Sequence, residues 1–146
     1  VKPRTAHLLL GLSAVLLAVA LPLASHWARR PPADRCALDG AAIDPAYRVR
    51  VVDGAGRAHC FCCTRCAELW LERHRDAPQA VYVTDEASGE ELRAERAYFV
   101  RSRVVTQPAT LNRIHAFRDR ADAERHADRF RGAVLADSER PFQSAR

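Results

Sequence analysis

The chain has 146 residues, 48% of them hydrophobic and 28% charged, with a formal net charge of +5. That composition excludes an intrinsically disordered chain, and the length leaves room for one small domain after an N-terminal segment of different character. Lys2 is the only lysine, acids are interspersed among the arginines, and no basic stripe with regularly spaced aromatics occurs, so a nucleic-acid partner is excluded and the charge reads as solvated surface plus membrane flank.

The first predicted element is apolar. Lys2 and Arg4 precede an uncharged run, residues 8–25, rich in leucine, alanine and valine; His26, Trp27 and Arg29-Arg30-Pro31-Pro32 come next. A spanning helix needs about 17–25 residues and a signal-peptide core about 7–15. The run reaches the lower end of the spanning range, lacks a polar face, and meets Trp27 where an interfacial anchor belongs. Residues 1–28 are therefore expected to form a membrane anchor, with a cleaved signal peptide as the alternative. Either places the remainder of the chain outside the cytoplasm, on the periplasmic or extracellular side. Residues 29–35 read as a linker, 36–138 as the folded domain and 139–146 as a tail.

Within the domain, Tyr47-Arg48-Val49-Arg50-Val51 alternates apolar and charged residues as a half-buried strand does. Asp53-Gly54-Ala55-Gly56 is a turn, and residues 57–62 return as a second strand. Thr64 is the expected N-cap of a helix over 65–75, with Ala67, Trp70 and Leu71 as its apolar stripe. Asp76-Ala77-Pro78 ends it, and residues 80–84 alternate again. The plan then repeats: strands over 97–105 and 113–117, a helix over 119–131, Gly132 at its C-cap, and a short strand over 133–136. His59, Phe61, Ala67 and Glu68 fall in step with His115, Phe117, Ala123 and Glu124 at one constant offset. The predicted fold class is α+β: an N-terminal membrane helix, then two pseudo-repeated β-β-α-β units.

All five cysteines lie in the first unit: Cys36, Cys60, Cys62, Cys63 and Cys66. An odd number leaves no complete disulfide framework, and four cysteines within seven residues pair poorly with one another. The second unit has Arg118, Asp119 and Asp122 where the first has Cys62, Cys63 and Cys66. A strand end at Cys62 and a helix start at Cys66 can bring two sulfurs to one ion, with Cys36 arriving from the preceding loop, where Asp39-Gly40 marks a tight turn. No methionine is present, so a soft-metal site must use cysteine and histidine. Cys36, Cys62 and Cys66 make three thiolates; the fourth donor is open between Cys60, Cys63 and a histidine. Cys60 is equally well a small core residue. Cys63 with Cys66 also has the Cys-Thr-Arg-Cys spacing of a redox pair, without a thioredoxin-like setting. His74 shares a stripe with Cys66, but eight residues of helix put it about 12 Å away. His115 reads as a half-exposed or satisfied core residue, His126 as solvated, and Trp70, Phe99 and Phe130 as core.

Cys36, followed at a distance by Phe61-Cys62 and then Cys66, resembles the small cysteine modules called TRASH domains, which are associated with metal sensing and trafficking. The wider chain resembles the NosL-like family, copper(I)-binding accessory proteins of nitrous-oxide reductase. The resembling pieces are Phe61-Cys62-Cys63-Thr64, Tyr82-Val83-Thr84-Asp85, Ala97-Tyr98-Phe99-Val100, and Ala116-Phe117 leading into the last helix. The chain departs from that family where Cys36 is followed by Ala37-Leu38 rather than Gly-Met, and in lacking a lipid-modified cysteine. The resemblance implies an outward-facing copper carrier that delivers copper(I) to an exported metalloprotein such as nitrous-oxide reductase. With no Ser-His-Asp set, Gly-rich phosphate loop or plausible carboxylate pair, the chain reads as a non-enzyme. The alternative is a structural zinc module that acts through contacts with another membrane protein; a thiol-disulfide oxidoreductase trails both.

Overall fold

Val49 and Val51 alternate with Arg50 and Val52, so one face of this stretch must be covered and the other can meet charge. In the computed structural model, which describes residues 34–74 and 77–143, that stretch is β1 (Val49–Val52), the second strand of a four-stranded antiparallel sheet. It pairs with β2 (Ala58–Phe61) on one side and β3 (Ala80–Thr84) on the other, and β4 (Glu91–Arg93) adds to β3. Val49, Val51, Phe61 and Val83 are at most 1% exposed and face the core. On the opposite face Arg50 bonds Glu91 through Nε and Nη2 and lies 4.1 Å over the Tyr82 ring.

A second, three-stranded sheet has β5 (Tyr98–Arg101) between β6 (Ile114–Phe117) and β7 (Ala133–Val134). The two sheets share an arrangement. In each the first strand is central, the next pairs on one side, a helix comes after it, and a later strand closes the other side. The registers agree as well: Val49 faces Phe61 as Tyr98 faces Phe117. Helix α1 (Thr64–Arg73) and helix α2 (Arg120–Arg129) each begin three residues after that phenylalanine. Helix α1 buries Thr64, Cys66, Ala67 and Trp70, a spacing that keeps one face on the sheet. The main core draws Val49, Phe61, Trp70 and Val83 from the first unit and Phe99 and Ala116 from the second. Val100, Phe117, Ala123 and Ala127 form a separate cluster beneath α2.

Several local expectations are corrected. Cys63, extended at φ −166°, is the N-cap of α1, and Thr64 is the first helical residue. The Thr64 hydroxyl is buried and donates to Asn112 Oδ1 at 3.1 Å, so it is spent on the second unit rather than on the cap. At the end of α2, Arg131 takes the left-handed conformation (φ 50°) and Gly132 comes next, donating its N–H to Ala127 O at 2.8 Å. Gly132 is required for a different reason: a Cβ there would meet Arg101 O at 2.5 Å. Strand β4 has no counterpart among the strands expected from the residue pattern. Part of the expected tail is core, since Phe142 is buried and Arg140 Nη2 donates to the carbonyls of Ala94, Glu95 and Ala97. Among the described residues no helix is long and apolar enough to cross a membrane, and the apolar run 8–25 lies outside them.

Candidate metal centre

The turn after Cys36 is built by its own backbone. Cys36 N–H donates to Ala41 O and Gly40 N–H to Cys36 O, both at 2.8 Å, and Gly40 supplies the positive φ of 74° that closes it. Ala37 N–H donates to Cys60 O at 2.8 Å and ties the turn to β2. This places Cys36 against the start of α1, where Cys62 and Cys66 stand. One donor atom from each of Cys36, Asp39, Cys62 and Cys66 lies within 4.8 Å of all the others. The Cys62 and Cys66 sulfurs are 3.6 Å apart. Two thiolates on one ion at about 2.3 Å sit about 3.8 Å apart in tetrahedral geometry, so the pair is nearly at its liganding distance. The donor set fits a soft or borderline ion.

Asp39 is visible in the sequence only as a turn residue. Its Oδ1 accepts the Ala41 N–H at 3.0 Å, and its Oδ2 accepts from the Cys66 thiol at 3.6 Å. The three thiols are 3% exposed or less, whereas Asp39 is exposed, so the pocket meets solvent at the carboxylate. Burial opposes ionisation of Asp39, but the Ala41 N–H and the thiols of Cys36 and Cys66 outweigh it and hold the carboxyl below its ordinary range. Burial, reinforced by Cys63, pushes the Cys62 thiol up to about 12. The same causes in the same order, with Cys62 and Cys36 added, push Cys66 further in that direction. An incoming metal ion therefore displaces protons from these sulfurs.

The other two cysteines fall outside this group of four, with Cys63 near enough to act on the Cys62 and Cys66 thiols. Cys60 faces the outer side of the sheet, opposite Arg50 in the register, and burial raises its thiol against the pull of Arg48 and Arg50. Cys63 Sγ is 3.4 Å from Thr110 Oγ1 in the loop between β5 and β6. That loop walls the pocket. Asn112 receives the Thr64 hydroxyl, donates Nδ2 to Thr106 Oγ1 at 2.6 Å, and is itself 7% exposed. Gln107 approaches the Cys62 thiol and draws its proton affinity back down. None of these wall residues carries a sequence signal, because each acts on the thiols across a long chain separation.

The histidines divide by unit. His59 packs at a tilt against Trp70 and Trp70 stacks on His74, at centroid distances of 4.6 and 3.8 Å. His115, 1% exposed, is buried with both nitrogens in contact: Nδ1 lies 2.9 Å from both oxygens of Glu86, and Nε2 lies 3.0 Å from Ser102 Oγ. His126 is not solvated as expected. It is half-buried between His115 and Phe130, and burial, with His115 and Arg129 nearby, holds its ring down to about 4.

Fold and pocket together define a small α+β domain with a cysteine cluster suited to binding a metal ion. No family model matches the chain, and no curated protein matches it. Among solved structures it is similar to the crystal structure of the copper chaperone NosL from Shewanella denitrificans, with a TM-score of 0.62 and 22% identity over 75% of this chain and 90% of that one. The two share a fold.

Proposed function

We propose that this chain is an extracytoplasmic copper(I)-binding protein, a metallochaperone that delivers copper to an exported metalloenzyme. The observation that carries the reading is the convergence of three buried thiols, Cys36, Cys62 and Cys66, on one point beside the exposed Asp39. Copper(I) takes two or three soft thiolates and needs no further ligand, whereas structural zinc wants four. The fold likeness to a copper chaperone supports the same choice. The carboxylate marks the side from which a recipient's own ligand enters and takes the ion by exchange, thiol by thiol. The apolar run 8–25 is proposed as the tether, with the domain facing outward. Nitrous-oxide reductase is the first recipient to test.

A second reading keeps a specific observation in its favour: Cys36, Cys62, Cys66 and Asp39 supply four donors, enough to close around zinc. Anaerobic purification followed by metal analysis and titration separates the two. The carrier reading expects a folded apo domain that binds one copper(I) tightly and zinc weakly. An apo domain that is unfolded until zinc is added would establish the structural zinc module instead.

A further inference from the structure

The second unit has no cysteine, yet its His115 and His126 meet Glu86, from the segment between β3 and β4, so that one ligand atom of each lies within 4.8 Å of the others. We propose that these three residues form a second metal site, for a divalent first-row cation of borderline character, separate from the thiol pocket. Two imidazoles and a carboxylate suit zinc(II) or copper(II), and are a poor match for copper(I).

The hydrogen bonds around His115 make the case. Its Nε2 lies 3.0 Å from Ser102 Oγ and 3.2 Å from Val104 O, an atom that can only accept; the proposal puts the hydrogen on Nε2, donated to that carbonyl. A metal-binding histidine is fixed this way, by donating its far nitrogen to a backbone carbonyl. The near nitrogen, Nδ1, then faces both Glu86 oxygens at the same distance, 2.9 Å. Lone pair against carboxylate is repulsive unless a proton or a cation lies between them. The His126 ring supplies the third donor, its centroid 4.2 Å from that of His115.

Packing alone does not ask for a histidine at position 126. The equivalent place in the first unit holds Trp70, which packs against His59 in the same manner and offers no ligand atom. The histidine fills the same place and adds a donor. Access is sufficient, since the Glu86 side chain is 13% exposed and His126 is half-buried, which leaves open positions for water or an incoming ligand.

The test uses the full chain with its thiols first occupied by silver(I), a soft ion that prefers sulfur. Zinc(II) is then titrated calorimetrically, and cobalt(II) in parallel for its absorption spectrum. The silver-loaded protein should bind one further zinc, and cobalt should give ligand-field bands without thiolate charge-transfer. His126→Ala and Glu86→Gln should each weaken zinc roughly tenfold or more and leave the silver stoichiometry unchanged. The melting temperature of the parent should rise with zinc, and that of His126→Ala should not. No zinc uptake by the silver-loaded protein, or uptake indifferent to both substitutions, overturns the proposal and leaves the three residues as a hydrogen-bonded core. If silver does not bind, the thiol pocket fails, and zinc uptake that His126→Ala and Glu86→Gln do not weaken still overturns the second site.

Discussion

Trp70 and His126 occupy equivalent positions in the two units, each packed at a tilt against a strand histidine, at 4.6 Å from His59 and 4.2 Å from His115. The packing is common to both; the chemistry is not. His126→Phe keeps an aromatic ring against His115 and Phe130 and removes both nitrogens. It adds volume and gives up the 3.2 Å contact of His126 Nε2 with Ser102 Oγ, so it should cost about 1–3 kcal/mol and leave the domain folded. Divalent-cation binding by the silver-loaded chain should be lost. Denaturant unfolding and the zinc titration read the two effects separately.

The thiol pocket makes a prediction that distinguishes ligands from charge. Cys62→Ala should abolish tight copper(I) binding. Because Cys62 is 1% exposed, it should also cost about 1–2 kcal/mol, more than a surface ligand would. Asp39→Asn retains the Oδ1 that accepts from Ala41 and so should leave stability nearly unchanged. It removes a hard anionic oxygen, and should weaken zinc more than copper(I). Competition titrations with a chelator of known affinity for each metal give the two ratios. Equal losses for the two metals would argue that Asp39 acts through charge rather than as a donor.

Reactivity of the five thiols should follow burial. Cys60 is half-buried on the outer face of the sheet, while Cys36, Cys62, Cys63 and Cys66 are 3% exposed or less. Alkylation of the metal-free protein at neutral pH, mapped by mass spectrometry, should label Cys60 first. Copper(I) should protect Cys36, Cys62 and Cys66 further and leave the Cys60 rate as it was. Protection of Cys60 by copper would place it in the site after all.

Acid stability should depend on Asp53. The Arg57 N–H, His59, the Arg57 side chain and the Ala55 N–H all hold its carboxyl far below its ordinary 3.8, and burial opposes them only in part. A carboxyl depressed in the folded state contributes stability above its unfolded value and loses it as pH falls through the folded one. The parent should therefore lose stability steadily below pH 3.8, and Asp53→Asn should be less stable at neutral pH but flatter across that range. Urea melts at pH 7 and at successively lower pH values test the slope.

Much of this architecture can be read from the chain because its signals are local. The alternation through Val49 and Val51, the turn at Asp53-Gly54, the helix stripe ending at Trp70 and the in-step pairs His59 with His115 and Phe61 with Phe117 each depend on near neighbours. Cys62 and Cys66 are legible for the same reason, a strand end and a helix start one turn apart, whereas Cys36 is picked out only by its residue type and the turn that follows it. Asp39 is not, since an Asp-Gly pair signals a turn whether or not its second oxygen has other work. Strand β4 escapes notice because its three residues, Glu91, Leu92 and Arg93, are too few to show a period. Thr64 misleads because the hydroxyl that makes it a good cap is claimed by Asn112, 48 residues along the chain. Phe142 joins the core only through contacts that no window of sequence contains.

The cysteine-free unit bears on the thiols more than its composition suggests. Thr110 stands against Cys63 and Asn112 against Thr64, so the wall of the pocket is contributed by the unit that has nothing to ligate with there. A fragment ending near residue 96 would contain every sulfur of the protein and still lack their shelter from oxidants. Local opening of the 102–112 loop would likewise lay the pocket bare. Safe custody of a redox-active ion is thus a joint property of both halves, and a substitution in the 102–112 loop could compromise it without touching a single ligand.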